Sequence, residues 1–212
     1  MLRCTNLKTY LTDNLVPFGK QLKDYVKQNN LSVAIHIRNL KNGNSVDVNE
    51  DLEFYPLRIA KLPVAILIMQ KVEDEELSLN TNIEIKDKDW DPTYGMLYST
   101  IQKKFTVKFL LEEMLKKSDN TAFYTLMRQV NDKDIKKIID YYSIDLNNVN
   151  INKRIKIDYG MITPKIMANA LVSLYTSNVL EIKDSEYLLS LLVDTSFDIK
   201  KIADLPQDIT VA

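Results

Sequence analysis

Apolar residues recur along most of this chain at the spacing of amphipathic helices. The first such run covers residues 7–29, where Pro17 and Gly19 are two positions at which the helix could break. Further helices are predicted over residues 59–72, 107–116, 121–130, 132–142, 163–177 and 184–193, with a short turn at 199–202. Thr106 is the expected N-cap of the helix over 107–116. In the helix over 163–177, Thr163 is the expected N-cap and Pro164 the first helical residue. The pattern therefore predicts a mostly helical chain.

A smaller part of the chain shows the alternation of a β-hairpin. Residues 32–40 place Val33, Ile35 and Ile37 on one face. Asn42-Gly43 predicts a tight turn, and residues 45–49 form the returning strand. Residues 77–85 are also predicted to be extended, but only the hairpin gives two firm strands.

Lys61 is the exception in the most apolar of the predicted helices. From Ile59 onward nearly every residue of that helix is apolar, so it should be buried on most of its circumference. A buried ammonium group without a partner is costly. Lys61 is therefore paired, takes part in chemistry, or extends its charged end to solvent.

Ser118-Asp119-Asn120 lies where one predicted helix ends and the next begins, and Thr121-Ala122 follows it. Alone, such a tripeptide is typical of a helix-capping turn. Together with Lys61-Leu62-Pro63 upstream, it resembles the penicillin-recognising serine hydrolases, and the class A β-lactamases in particular.

Two more landmarks extend the resemblance to residues 31–212. Residues 162–168 resemble the Thr-Pro helix start that follows the family's omega loop, and residues 205–212 resemble the approach to its Lys-Thr-Gly strand. The resemblance implies an α+β fold in which a five-stranded antiparallel sheet packs against helices. It also implies one domain over residues 1–212. Because the sequence stops before Lys-Thr-Gly, we expect the last sheet strands to be missing from this chain.

Three departures from the family's motifs bear on activity. On Ser-x-x-Lys, Lys61 takes the lysine position and Arg58 the position of the nucleophilic serine. A guanidinium stays protonated and has no nucleophilic oxygen. Residues 143–162 contain no glutamate to act as the omega-loop base, and Ser143 stands at the position where the family has it. The third motif, Lys-Thr-Gly, does not occur in the sequence. We therefore predict a relative of the serine hydrolases that is catalytically inactive.

The resemblance also implies roles for the remaining groups. Lys61 and Ser118 would move protons around the nucleophile, Asn120 would hold the substrate amide, and Asp119 would hold the turn. Arg58 beside Lys61 could bind the carboxylate of a β-lactam or a D-alanyl cell-wall peptide, or it could extend to solvent or pair with an acid. The alternative function is a non-catalytic relative that binds peptidoglycan or a protein partner.

Residues 87–104 form a polar and aromatic segment that corresponds to the rim of the family's active site. It carries Trp90, Tyr94 and Tyr98. One of these rings could line a ligand groove, and packing in the core is the competing interpretation.

Composition narrows the possible partners. With 28 basic and 29 acidic residues, the net charge of −1 argues against a nucleic-acid partner attracted by charge. Cys4 is the single cysteine. His36, the single histidine, is expected to lie at an exposed strand position and to have a structural role. We therefore expect no metal and no cofactor. No apolar run reaches the ~18 residues of a membrane span.

Two further expectations concern the cellular location and the oligomeric state of the protein. The first residues lack the apolar stretch of a signal peptide. The family resemblance implies an extracytoplasmic protein whose targeting segment has been removed. We also expect a monomer.

Overall fold

The computed structural model describes residues 15–142, 162–193 and 195, without the side chains of residues 138–142. The helices in these ranges are α1 (Val16–Gln28), α2 (Lys61–Glu73), α3 (Val107–Lys116), α4 (Asn120–Met127), α5 (Asp132–Tyr142), α6 (Pro164–Tyr175) and α7 (Ile182–Val193). The strands are β1 (Ile35–Arg38), β2 (Ser45–Val48), β3 (Asn82–Glu84) and β4 (Lys104–Thr106). The predictions for residues 7–14, 143–161, 199–202 and 205–212 lie outside the described residues.

The strands form two antiparallel pairs. The predicted hairpin is confirmed, since β1 and β2 face each other with Ile35 opposite Val48. β3 lies within the predicted extended segment and pairs with β4, Ile83 opposite Phe105. The sequence pattern does not predict β4, because three residues are too few to show an alternation.

His36 is not at an exposed position, contrary to the expectation. Its side chain is only 5% exposed, and its Nδ1 lies 2.6 Å from Oδ1 of Asp47, directly across the hairpin. Helix α6 packs against β1, and this tertiary contact cannot be read from the alternation of the strand. A structural role for the histidine fits this pairing.

Helix α2 lies at the centre of the core. Val64, Ala65, Ile68 and Met69 are completely buried, and α3, α4 and α7 pack around the helix. The helix begins at Lys61, two residues later than predicted, because Leu57–Ala60 forms a turn of 3₁₀ helix in front of it. This junction sets the positions of the two candidate residues 58 and 61.

Helix α1 begins at Val16, one residue before Pro17, and continues through Gly19 without a break. Pro17 lies in the first turn, where a backbone N–H has no partner within the helix. Gly19 is buried against Val46, and a Cβ built there would lie 3.0 Å from Val46 Cγ2. The glycine therefore permits close packing of α1 on β2.

The two predicted helix starts at threonine residues are confirmed. Thr106 accepts a hydrogen bond from the backbone N–H of Phe109, and α3 begins at the next residue. Thr163 accepts one from Ile166 N–H, and Pro164 is the first residue of α6. Both fit the usual N-cap arrangement.

Phe54 and Ile162 are joined by two backbone hydrogen bonds, each with an N–O distance of 2.9 Å. The bridge brings the segment before α2 next to the segment before α6. The segments that lead into α2 and α6 are thus far apart in the sequence but adjacent in the fold.

A pair of acids links α2 to the start of α7. Burial, and then the neighbouring Asp184 carboxyl, raise the pKa of Glu73 above 4.5. The protonated carboxyl is therefore favoured in the folded state, and its contribution to stability, present below pH 4.5, is lost as the pH rises through the raised pKa. We expect Glu73→Gln to be more stable than wild type at pH 7, with the difference shrinking toward pH 4, in urea unfolding.

Glu84 supplies the control for this measurement. Lys86 lowers the pKa of Glu84, so Glu84→Gln should lose a little stability at pH 7 instead of gaining it. Equal behaviour of the two variants would contradict the assigned contact between α2 and α7.

Candidate functional site

Lys61 lies at the junction of the 3₁₀ turn and α2, and the residue is only 6% exposed. Its Nζ lies 2.9 Å from Ser118 Oγ and 2.8 Å from Asn120 Oδ1, and it also donates to the carbonyl oxygen of Ser118. The structure therefore brings together Lys61, Ser118 and Asn120. Of the three possibilities for Lys61, extension to solvent is excluded.

Asp119 holds the turn between α3 and α4. Its Oδ1 caps α4 by accepting from Ala122 N–H at 2.8 Å, and its Oδ2 accepts from the N–H groups of Met96 and Leu97 at 2.7 and 2.9 Å. The residue is fully buried. These bonds fix the backbone that presents Ser118 and Asn120 to Lys61.

Gly95 allows that turn to form, and sequence reasoning missed it. Its φ is +98°, and a Cβ added there would lie 2.0 Å from Oδ2 and 2.6 Å from Cα of Asp119. No other residue type could occupy this position without displacing Asp119. The sequence offered one signal, a lone glycine in an otherwise polar and aromatic segment.

Asp91 and Thr93 orient the side chain of Asn120 and were also missed. Asn120 Nδ2 donates to Thr93 Oγ1 at 2.8 Å and approaches Asp91 Oδ1 at 3.5 Å. Its Oδ1 is consequently turned toward Lys61. The Asn120 backbone N–H also donates to the carbonyl of Tyr94 at 3.0 Å, which ties α4 to the rim segment.

Arg58 lies in the 3₁₀ turn, exposed, with its guanidinium carbon 3.5 Å from the centroid of the Tyr94 ring. This is the geometry of a cation–π contact. Of the three rim aromatics, Tyr94 is therefore the one beside the candidate site. Trp90 packs against the core, and Tyr98 is 44% exposed.

The electrostatics of the site centre on Lys61. Burial lowers the pKa of Lys61 to about 8; the charge of Asp119 opposes this, while the charge of Arg58 adds to it. A lysine in this range exchanges protons readily near neutral pH, as a general base requires. The cluster can bind an anion at Arg58 and accept a proton at Lys61.

Comparison with known proteins settles the family. The sequence profile described as "Beta-lactamase enzyme family" matches residues 17–212. The chain belongs to this β-lactamase family. Beta-lactamase VEB-1 of Pseudomonas aeruginosa is 23% identical over 217 residues, covering 95% of this chain and 71% of that protein.

Solved structures establish the β-lactamase-like fold. A mutant of PBP-A, solved as an acyl-enzyme complex with penicillin G, superposes with a TM-score of 0.78 at 20% identity over 91% of this chain and 74% of that one. A β-lactamase from Sphaerobacter thermophilus gives 0.73 at 19% identity, covering 88% and 71%. The predicted α+β class, with antiparallel strands packed against helices, is confirmed.

The described part of the chain offers no candidate metal site and no candidate membrane span. No group of three or more His, Cys, Asp or Glu residues within it is placed to hold a metal ion. None of its helices is both long and apolar enough to cross a membrane.

Proposed function

We propose that this member of the β-lactamase family binds β-lactams or D-alanyl cell-wall peptides and does not hydrolyse them. The ligand would lie against Arg58, Lys61, Ser118 and Asn120. Residues 1–212 would form one domain, a monomer acting outside the cytoplasm.

The observation that carries the proposal is the guanidinium at position 58. By the resemblance of residues 58–61 to Ser-x-x-Lys, Arg58 takes the position of the family's nucleophile. It lies one 3₁₀ turn ahead of Lys61, which contacts Ser118 and Asn120. Arginine cannot form an acyl-enzyme. The absence of glutamate from residues 143–162 removes the expected base for deacylation as well.

Binding is supported by what surrounds the guanidinium. The Tyr94 ring lies 3.5 Å from its central carbon and holds the arginine at the site, where a guanidinium can form bidentate bonds to a carboxylate. Lys61 adds a second positive charge in the same site. Asn120 is held with its amide at the exposed side of the cluster, against Thr93, where it could bond a peptide group of the ligand.

A protein partner is the second candidate, and exposed apolar side chains beside the site favour it. Leu57 and Ile59, on either side of Arg58, are 72% and 56% exposed, and Met96 across the rim is 69% exposed. Apolar side chains around a charged centre are typical of interaction surfaces.

Calorimetric titration tests the carboxylate site. Penicillin G and an acylated D-Ala-D-Ala peptide should bind wild type, and Arg58→Ala should weaken both about 10- to 100-fold, the loss expected for a hydrogen bond to a charged group. The same peptide with an amidated C-terminus should already bind weakly to wild type. Arg38→Ala, which removes an exposed arginine of β1, is the control.

Two results would count against the proposal. Unchanged peptide binding by Arg58→Ala would show that the guanidinium does not bind the carboxylate. Sustained hydrolysis of penicillin by wild type would show that the protein is active. No binding of either ligand would favour the protein-partner alternative.

A further inference from the structure

The candidate site keeps one hydroxyl group in contact with a base. Ser118 Oγ lies 2.9 Å from Lys61 Nζ, within hydrogen-bonding distance. The other two oxygens around Nζ, the Ser118 carbonyl and Asn120 Oδ1, can only accept hydrogen bonds. Ser118 Oγ alone can either donate or accept.

This set of partners satisfies a neutral amine completely. An uncharged Lys61 has two N–H groups for the two carbonyl oxygens and a lone pair for the hydroxyl proton of Ser118. Because burial lowers the pKa of Lys61 to about 8, with Arg58 adding to the effect, about half of the lysine is neutral at pH 8. The arrangement is that of a serine nucleophile hydrogen-bonded to its general base.

The backbone at Ser118 is also in the left-handed region, as it is at five other described residues besides glycine. Its φ of +56° is unusual for a residue other than glycine. The bonds of Asp119 to Ala122, Met96 and Leu97 hold the turn in this form. Local strain of this kind is concentrated at functional sites.

We propose that Ser118 is itself a nucleophile, with Lys61 as its general base, and that it accepts an acyl group from a reactive ester. The inference uses the site of the proposed function but does not depend on its binding of carboxylates. It gives the site a covalent reaction although position 58 has no hydroxyl.

The reaction balances without any further component. Ser118 Oγ attacks the carbonyl carbon of the ester, a new C–O bond forms, and the hydroxyl proton passes to Lys61 Nζ. The tetrahedral intermediate collapses, and the bond to the leaving oxygen breaks. The products are an ester of Ser118, an ammonium at Lys61 and the departing alkoxide or phenolate.

p-Nitrophenyl acetate is the suitable probe, because it is small and carries no carboxylate. The protein is incubated with it between pH 6 and pH 10, digested with trypsin and analysed by mass spectrometry. We expect an acetyl group on Ser118 in the tryptic peptide 118–128, which contains no lysine. The rate of labelling should rise with pH, with a midpoint near the pKa of about 8 of Lys61.

Ser118→Gly is the decisive variant. Glycine accepts the positive φ without strain, so the variant should fold while lacking the hydroxyl. It should lose the label, and Lys61→Met should slow labelling roughly 100-fold or more. Ser99→Ala, at an exposed serine, should label like wild type.

Arg58→Ala separates this inference from the proposed function. This variant should bind carboxylate ligands weakly but should still be acetylated at Ser118 by the probe. The pH midpoint of labelling should move upward, because a positive charge beside Lys61 is gone. Absence of the label from peptide 118–128 of wild type, its persistence in Ser118→Gly, or acetylation of Lys61 instead would overturn the inference, whatever the titrations with carboxylate ligands give.

Discussion

Replacing Arg58 by serine should give a protein that penicillin G acylates at position 58. The introduced hydroxyl would stand one 3₁₀ turn ahead of Lys61. Burial lowers the pKa of this lysine, which suits it to take up the proton. A positioned general base typically contributes 10²- to 10⁴-fold. We expect at least ~100-fold faster adduct formation than in Arg58→Ser combined with Lys61→Met, which lacks the base, and no adduct at position 58 in Arg58→Ala, which has no hydroxyl there.

Intact mass spectrometry followed by tryptic digestion measures this effect. In Arg58→Ser the penicilloyl group should appear on the peptide 42–61, away from the peptide 118–128 that carries Ser118. Because residues 143–162 contain no glutamate, the adduct should accumulate instead of being hydrolysed quickly. An unlabelled peptide 42–61 would mean that the site has lost more than its nucleophile.

Replacing Gly95 by alanine should be among the most destabilising single substitutions in the chain. The new Cβ would lie 2.6 Å from the Cα of Asp119, so the backbone itself must move. The left-handed conformation adds roughly 1–2 kcal/mol, and overpacking about 1–3 kcal/mol. A loss of about 2–5 kcal/mol in the free energy of unfolding is expected from urea titration.

Gly43→Ala provides the matched comparison. Gly43 also has a positive φ, +77°, but a Cβ there would meet nothing within 4 Å. It should therefore cost only the conformational part, about 1–2 kcal/mol. If both substitutions had the same effect, the close approach of Gly95 to Asp119 would not matter for stability.

The features that could be predicted from the sequence are mostly local. Asn42-Gly43 specified its hairpin, and Thr106 and Thr163 specified their helix starts, because each signal and its effect lie within a few residues. Lys61 and Ser118 were found as well, since a lone lysine in an apolar helix and a recognisable tripeptide stand out. The structure places their side chains in contact.

The features that were missed depend on contacts between distant segments. The need for glycine at position 95 arises only when Asp119 packs against it. The orientation of Asn120 depends on Thr93. His36 is buried within a hairpin whose strand β1 packs against the distant helix α6. No short window of sequence contains both partners of any of these contacts.

The side chains of the described site all fall between residues 58 and 120, although the bridge between Phe54 and Ile162 shows how far the surrounding fold reaches. One continuous segment of the gene therefore encodes them. Recombination between related genes could exchange this segment as a unit and replace the arginine without separating the lysine from its partners.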